Sequence, residues 1–229
     1  MRVYSADWTS TNSTTRRRGA ALGVLLTVAL VLVWAAVVLR CVWVVDRYEA
    51  TPGHPSAPPE LWPPVAGITR STAHPTLVML AHPHCPCTRA SLGELAGIMR
   101  SCSGQVDVFV FFLRPGHADA NWEKTDLWAT ASAIPGARAI WDKDGAVARQ
   151  FGAATSGAVV LYGADGHLLF SGGITRSRGM FGGNDGRETI ISLVHGESPR
   201  LTSTPVYGCQ LLDSPGNAKC CKRAQREAP

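Results

Sequence analysis

Two thiols separated by one residue, Cys85 and Cys87 in the segment AHPHCPCTRA (Ala81–Ala90), are the groups in this chain best suited to chemistry. The apolar run Thr76–Ala81 precedes them and a helical pattern follows, so both fall in the turn from a strand's carboxyl end into the first turn of a helix. That is a favoured place for a site on an α/β sheet. Unpaired backbone N–H groups and the positive end of the helix dipole stabilise a thiolate there. The thiolate is the species that attacks disulfides. His84, just before Cys85, can add positive charge or take a proton, so Cys85, Cys87 and His84 are the candidate catalytic residues, with no cofactor needed. A second reading uses the same stretch as a metal site: His82, His84, Cys85 and Cys87, with Cys209 from the distant TPVYGC segment, offer soft donors suited to copper or zinc.

The elements that must position these groups follow from periodicity. Thr76–Ala81 (TLVMLA) and Val106–Leu113 (VDVFVFFL) are apolar on both faces, as buried central strands require. Between them Leu92, Leu95, Ala96 and Met99 form one helical stripe, with Thr88 as the expected cap. Strand, helix, strand predicts a right-handed βαβ unit. Farther on, Ala137–Trp141 reads as a strand running into an Asp-Lys-Asp-Gly turn and a short helix ending at Phe151. Ala158–Tyr162 and His167–Ser171 flank the turn residues Gly163–Gly166 as a hairpin. A last helix is expected over Gly186–His195, capped by Asn184 or Asp185 and stopped by Gly196. The fold class expected is α/β, a central mixed sheet flanked by helices.

Ala20–Leu39 holds 20 consecutive uncharged residues, long enough to span the roughly 30 Å hydrocarbon core. Arg16–Arg18 on its N-terminal side place that end in the cytoplasm, and Arg40 and Trp43 suit the far interface. The domain is then exported, to a compartment where disulfides persist. The expected organisation is a cytoplasmic N-terminus (1–19), a transmembrane helix (20–45), a Pro-rich linker (46–75), the domain (76–212) and a basic flexible tail (213–229). Residues 51–75 contain seven prolines and read as an extended spacer holding the domain off the bilayer.

The 229 residues, 45% hydrophobic and 17% charged, exclude a disordered chain, a collagen and a long coiled coil. The net charge of +5 resides in the arginine block and in Lys219, Lys222, Arg223 and Arg226, which argues against a nucleic-acid partner. Cys209 has three readings: a disulfide with Cys102, a third redox thiol, or a metal ligand. Cys41 is an apolar residue at the membrane boundary, and Cys220 and Cys221 are peripheral. The Gly-rich stretch Gly172–Gly186, with Arg176 and Arg178, lacks phosphate-loop spacing and reads as a long loop beside the cysteines. Asp142-x-Asp144-Gly145 is a turn and helix cap rather than a calcium loop.

From Ala73 to Gly196 the chain resembles the thioredoxin-like superfamily, through the strand TLVMLA, the cysteine pair opening a helix, the WDKDG turn and the hairpin VVLYGADGHLLFSGG. More narrowly, AHPHCPCTRAS, SGGITRSRG and TPVYGC resemble the membrane-anchored Cys-Pro-Cys proteins of the RedB type. The resemblance implies a membrane-anchored, extracytoplasmic thiol-disulfide oxidoreductase acting on exported thiol- or disulfide-containing proteins, with Cys85 attacking and Cys87 resolving. The chain departs from the superfamily pattern in its one-residue spacer, in His84 where an aromatic residue is usual, and in Thr155-Ser156-Gly157 where a proline usually faces the site. The metal reading is similar to the Sco-type copper chaperones, whose cysteine spacing is wider and whose histidine ligand lies downstream.

Overall fold

The computed structural model describes residues 10–65, 68–118, 122 and 125–212. The chain forms two compact units, Met1–Tyr48 and Glu49–Pro229. The expected tail, with Cys220 and Cys221, lies outside the described residues, as does the start of the chain.

In the first unit, helix α1 (Ser10–Glu49) contains a stretch from Ala20 that is long and apolar enough to cross a membrane. Its apolar side chains, Leu25, Leu30 and Leu32 among them, are exposed. Near its end, the guanidinium groups of Arg40 and Arg47 lie 4.5 and 5.3 Å from the Trp43 ring centre, a cation–π cluster suited to headgroup depth.

The second unit is built on five strands: β1 (Thr76–Ala81), β2 (Asp107–Arg114), β3 (Ala137–Lys143), β4 (Ala158–Tyr162) and β5 (Leu168–Gly172). Their order is β3-β2-β1-β4-β5. β1 pairs in parallel with β2 and antiparallel with β4, so it is enclosed on both sides, and all six of its residues are buried. This is why TLVMLA has no polar face. β2 pairs in parallel with β3, and β4 pairs antiparallel with β5 as the expected hairpin.

Helices α2 (Pro86–Ser101), α3 (Asp126–Ser132) and α5 (Asp185–Val194) cover one face, burying Leu92, Leu95, Ile98, Leu127, Ala131 and Ile190 against Leu77 and Met79. Among the described residues the other face has only the short α4 (Ala146–Gln150), which is too small to cover Val78, Leu80, Phe109 and Phe111. Chain without regular structure completes this layer: Trp62 and Val65 from before β1, Val206 and Leu211 from after α5. Trp62 packs edge-on to Phe151 and Tyr162, with ring centres 5.5 and 5.3 Å apart.

The described residues of the Pro-rich stretch form no helix or named strand, and they pack on the domain instead of standing off as a spacer. Gly53 N–H donates to the Val206 carbonyl (2.8 Å), Trp62 N–H to Gly166 (2.9 Å), and the Tyr162 hydroxyl to Pro59 (2.7 Å). Proline favours an open conformation, and the exposed sheet face supplies the apolar partner.

Two local details depart from expectation. Helix α2 starts three residues earlier than a Thr88 cap implies: Cys85 is its N-cap, in extended conformation, and Pro86 supplies the pre-set φ of the first helical position. Helix α3, capped by the Thr125 hydroxyl accepting from Trp128 N–H, has no counterpart in the sequence reading. The other end points shift by one or two residues. Asn184 is the cap of α5, and Gly196 ends it at φ 80°. Asp142 acts as expected in the turn, its carboxylate accepting from Val147 and Ala148 N–H at 2.8 and 2.9 Å.

Candidate functional site: three thiols at a helix start

The Cys85-Pro86-Cys87 turn leaves the carboxyl end of β1 and opens α2. Cys85 N–H donates to the His82 carbonyl (3.1 Å) and Thr88 N–H to the Cys85 carbonyl (3.0 Å), which fixes the turn. Thr88, buried, shares a hydrogen bond with the Ser156 hydroxyl (2.9 Å), and the same hydroxyl accepts from His82 N–H (2.8 Å). Ser156 thus ties the cysteine turn to the loop before β4.

That loop, Thr155-Ser156-Gly157, takes the place where thioredoxin-like chains usually carry a proline. Its other side is occupied by the chain's own C-terminal segment. Ser156 N–H donates to the Cys209 carbonyl (2.8 Å), Leu211 N–H donates to Ala154 (2.8 Å), and Thr155 bridges to Gln210 in antiparallel fashion. Gly208 makes the approach possible, since a Cβ there would collide with the Ser156 carbonyl oxygen. This pairing carries Cys209 to the start of α2, where the sulfurs of Cys85, Cys87 and Cys209 all lie within 4.8 Å of one another.

The three sulfurs are unequal. Cys85 is only 1% exposed, whereas Cys87 and Cys209 are half-buried. The Cys85 thiol is held far below its ordinary pKa, first by hydrogen bonding from the Cys209 thiol, then from Cys87, with help from the Cys209 and Thr88 backbone, all against the cost of burial. At Cys87 the hydrogen bond from Cys209 favours the anion, but bonding to Cys85, burial and the Cys85 charge outweigh it and push the thiol up; the Arg178 charge opposes that rise. Cys209 is pushed up strongly, because it donates to Cys85 and to Cys87 and is desolvated. One negative charge is thus shared by three sulfurs and is best stabilised on the innermost.

Arg178 comes from the Gly-rich loop, which does lie beside the cysteines. Its side chain donates to the carbonyls of Thr51 (3.2 Å) and Gly208. Gly179 and Phe181 of that loop line a small groove with Pro86, Arg89, Ala90 and Gly93 of α2. The loop is anchored by Glu94, 2% exposed, which accepts from Gly182 N–H and pairs with Arg187 at 3.2 Å.

His82 and His84 stand outside the group of three sulfurs. His84 is exposed, and its N–H donates to His82 Nδ1 at 3.1 Å. Both imidazoles pack edge-on against Trp122, with ring centres 5.4 and 4.6 Å away. Trp122 in turn donates to the Leu113 carbonyl (2.9 Å). Cys102 ends α2 at its far end, buried in the core, and both it and Cys209 are free thiols, so of the three readings of Cys209 the disulfide with Cys102 is not formed. Sixteen helical residues separate the positions, about 24 Å of helix. Cys41 is an exposed residue of α1. Trp122 and Glu94 have no local signal in the sequence, since each acts through partners far away along the chain.

A mixed sheet with the order β3-β2-β1-β4-β5, helices on its faces and cysteines at the start of the helix after the central strand define a thioredoxin-like fold. Among solved structures, an uncharacterized conserved protein from Geobacillus kaustophilus is similar at a TM-score of 0.52 and 17% identity, over 72% of this chain and 94% of its own. A hypothetical protein, SMc02350, from Sinorhizobium meliloti gives a TM-score of 0.50 at 21% identity, over 72% of this chain and 96% of its own. A secreted Mycobacterium tuberculosis disulfide oxidoreductase, described as homologous to E. coli DsbE, gives 0.39 at 17% identity over 54% of this chain and 82% of its own. No protein-family model and no curated protein sequence matches the chain.

Proposed function

We propose that the protein is a membrane-anchored, extracytoplasmic thiol-disulfide oxidoreductase of the Cys-Pro-Cys type, in which Cys87 meets the partner protein and Cys85 holds the charge. The observation that carries this reading is the inequality of the pair. A 1% exposed sulfur offers a partner no line of attack, while the half-buried Cys87 does. Cys85, in turn, is the better leaving group, because a thiolate of low pKa leaves faster.

In the direction that oxidises a partner, a partner thiolate attacks the Cys87 sulfur of the Cys85–Cys87 disulfide. The S–S bond breaks, its electron pair goes to Cys85 as thiolate, and a Cys87–partner mixed disulfide forms. A second partner thiolate then attacks the partner's own sulfur, closing the partner disulfide and releasing Cys87, which takes up a proton. Reversed, the same steps reduce a partner disulfide, with Cys87 attacking and Cys85 resolving. These roles exchange those implied by the family resemblance. Arg16–Arg18, on the N-terminal side of the uncharged stretch from Ala20, support a cytoplasmic N-terminus and an exported domain.

Mixed-disulfide trapping tests the assignment. Cys85→Ser removes the resolving thiol and should accumulate an adduct with a disulfide-bearing model peptide through Cys87, whereas Cys87→Ser should accumulate little. Equal trapping by both variants, or exchange at the unmodified rate in either, would contradict the proposal.

A further inference from the structure

We propose that the reduced Cys85, Cys87 and Cys209 cluster is a Cu(I) site, and that closing a disulfide between any two of its sulfurs abolishes it. The donor set carries the inference. Three sulfurs arranged around one ion at about 2.3 Å, the zinc–thiolate bond length, stand about 4 Å from one another. Here all three lie within 4.8 Å of one another.

The number of donors selects the metal. Thiolates favour Cu(I) and zinc among biological cations. A structural zinc site takes four protein ligands, and among the described residues no histidine, carboxylate or further cysteine joins the three sulfurs. Cu(I) is satisfied by three thiolates in a plane. The complex carries two net negative charges, which face the N-terminus of α2 and the Arg178 guanidinium. Half-buried Cys87 and Cys209 leave a way in for the ion.

Binding consumes no electrons when the metal is supplied as Cu(I): sulfur–metal bonds form and the thiol protons go to solvent. The site is independent of the exchange cycle, since it needs only the reduced sulfurs. It nevertheless excludes that cycle's oxidised state, because a disulfide sulfur is no longer a thiolate ligand. Cys209 is the residue that separates the two: exchange uses the Cys85–Cys87 pair, whereas the ion needs the third sulfur.

The test is an anaerobic competition between the full chain in detergent micelles and a chromophoric Cu(I) chelator. The reduced chain should retain one Cu(I) per molecule, and Cys209→Ser should lower its affinity at least tenfold while Cys102→Ser leaves it unchanged. A second measurement needs no variant: the chain oxidised at Cys85 and Cys87, checked by mass spectrometry, should retain no Cu(I). Copper retained equally by the reduced and oxidised chains, or equally by the Cys209→Ser and unmodified chains, would overturn the proposal. Failure of the exchange reading appears elsewhere, as absence of mixed disulfides in the metal-free chain.

Discussion

The Ser156 N–H donates to the Cys209 carbonyl oxygen at 2.8 Å, so the loop that faces the cysteine turn is paired with the segment that delivers the third thiol. An open strand edge is a place where an extended partner strand can add. The protein fills that edge with its own residues 208–211.

This pairing makes Gly208 the position on which the third thiol depends. Gly208→Ala places a methyl group against the Ser156 carbonyl, a backbone atom that cannot swing away. We expect a loss of about 1–3 kcal/mol, as for other overpacked sites, and faster alkylation of Cys209 with Cys85 still protected. Denaturant unfolding and mass-resolved alkylation check both. Unchanged Cys209 protection would show that another contact holds it.

The contribution of Cys85 to the stability of the reduced chain should grow as pH rises towards the ordinary thiol pKa. The Cys85 pKa is lowered by folding, so below that pKa the unfolded chain binds the extra proton and stability grows as pH increases. The contribution is complete above the ordinary thiol pKa and is lost as pH falls through the folded value. Cys87 and Cys209 are raised, hence protonated in both states below pH 8, and add no slope there. Denaturant titrations at several pH values should show this slope in the reduced chain and a smaller one in Cys85→Ser.

Glu94 and Arg187 should respond asymmetrically. Glu94 is buried while the Arg187 side chain is 31% exposed, so Arg187→Met strands a buried carboxylate, whereas Glu94→Gln leaves a cation that water can reach. We expect Arg187→Met to be the more destabilising, by about 1–3 kcal/mol, and to loosen the loop around Gly182. Comparing the two unfolding midpoints decides this; a larger loss in Glu94→Gln would contradict it.

How much of this was legible in the sequence depended on how local each signal is. β1, β2 and α2 were readable because their patterns lie within single elements: an unbroken apolar run enclosed on both sides, and Leu92, Leu95 and Met99 at helical spacing. The thiol pair at a helix start was readable for the same reason. α3 was not, since only Leu127 and Ala131 of its seven residues are buried and no stripe develops. The Pro-rich segment was misjudged because its composition reports backbone conformation, not the uncovered sheet face that Trp62 and Val65 fill. The place of Cys209 was one of several open readings, because the pairing that delivers it joins residues over fifty positions apart.

The most direct measurement is a redox titration of the full chain, metal-free in detergent, against graded thiol buffers, with free cysteines alkylated and located by mass spectrometry. The account predicts one reversible two-electron transition in which Cys85 and Cys87 lose and regain reactivity together while Cys102 stays reduced. A pair that never closes across the accessible range would contradict it.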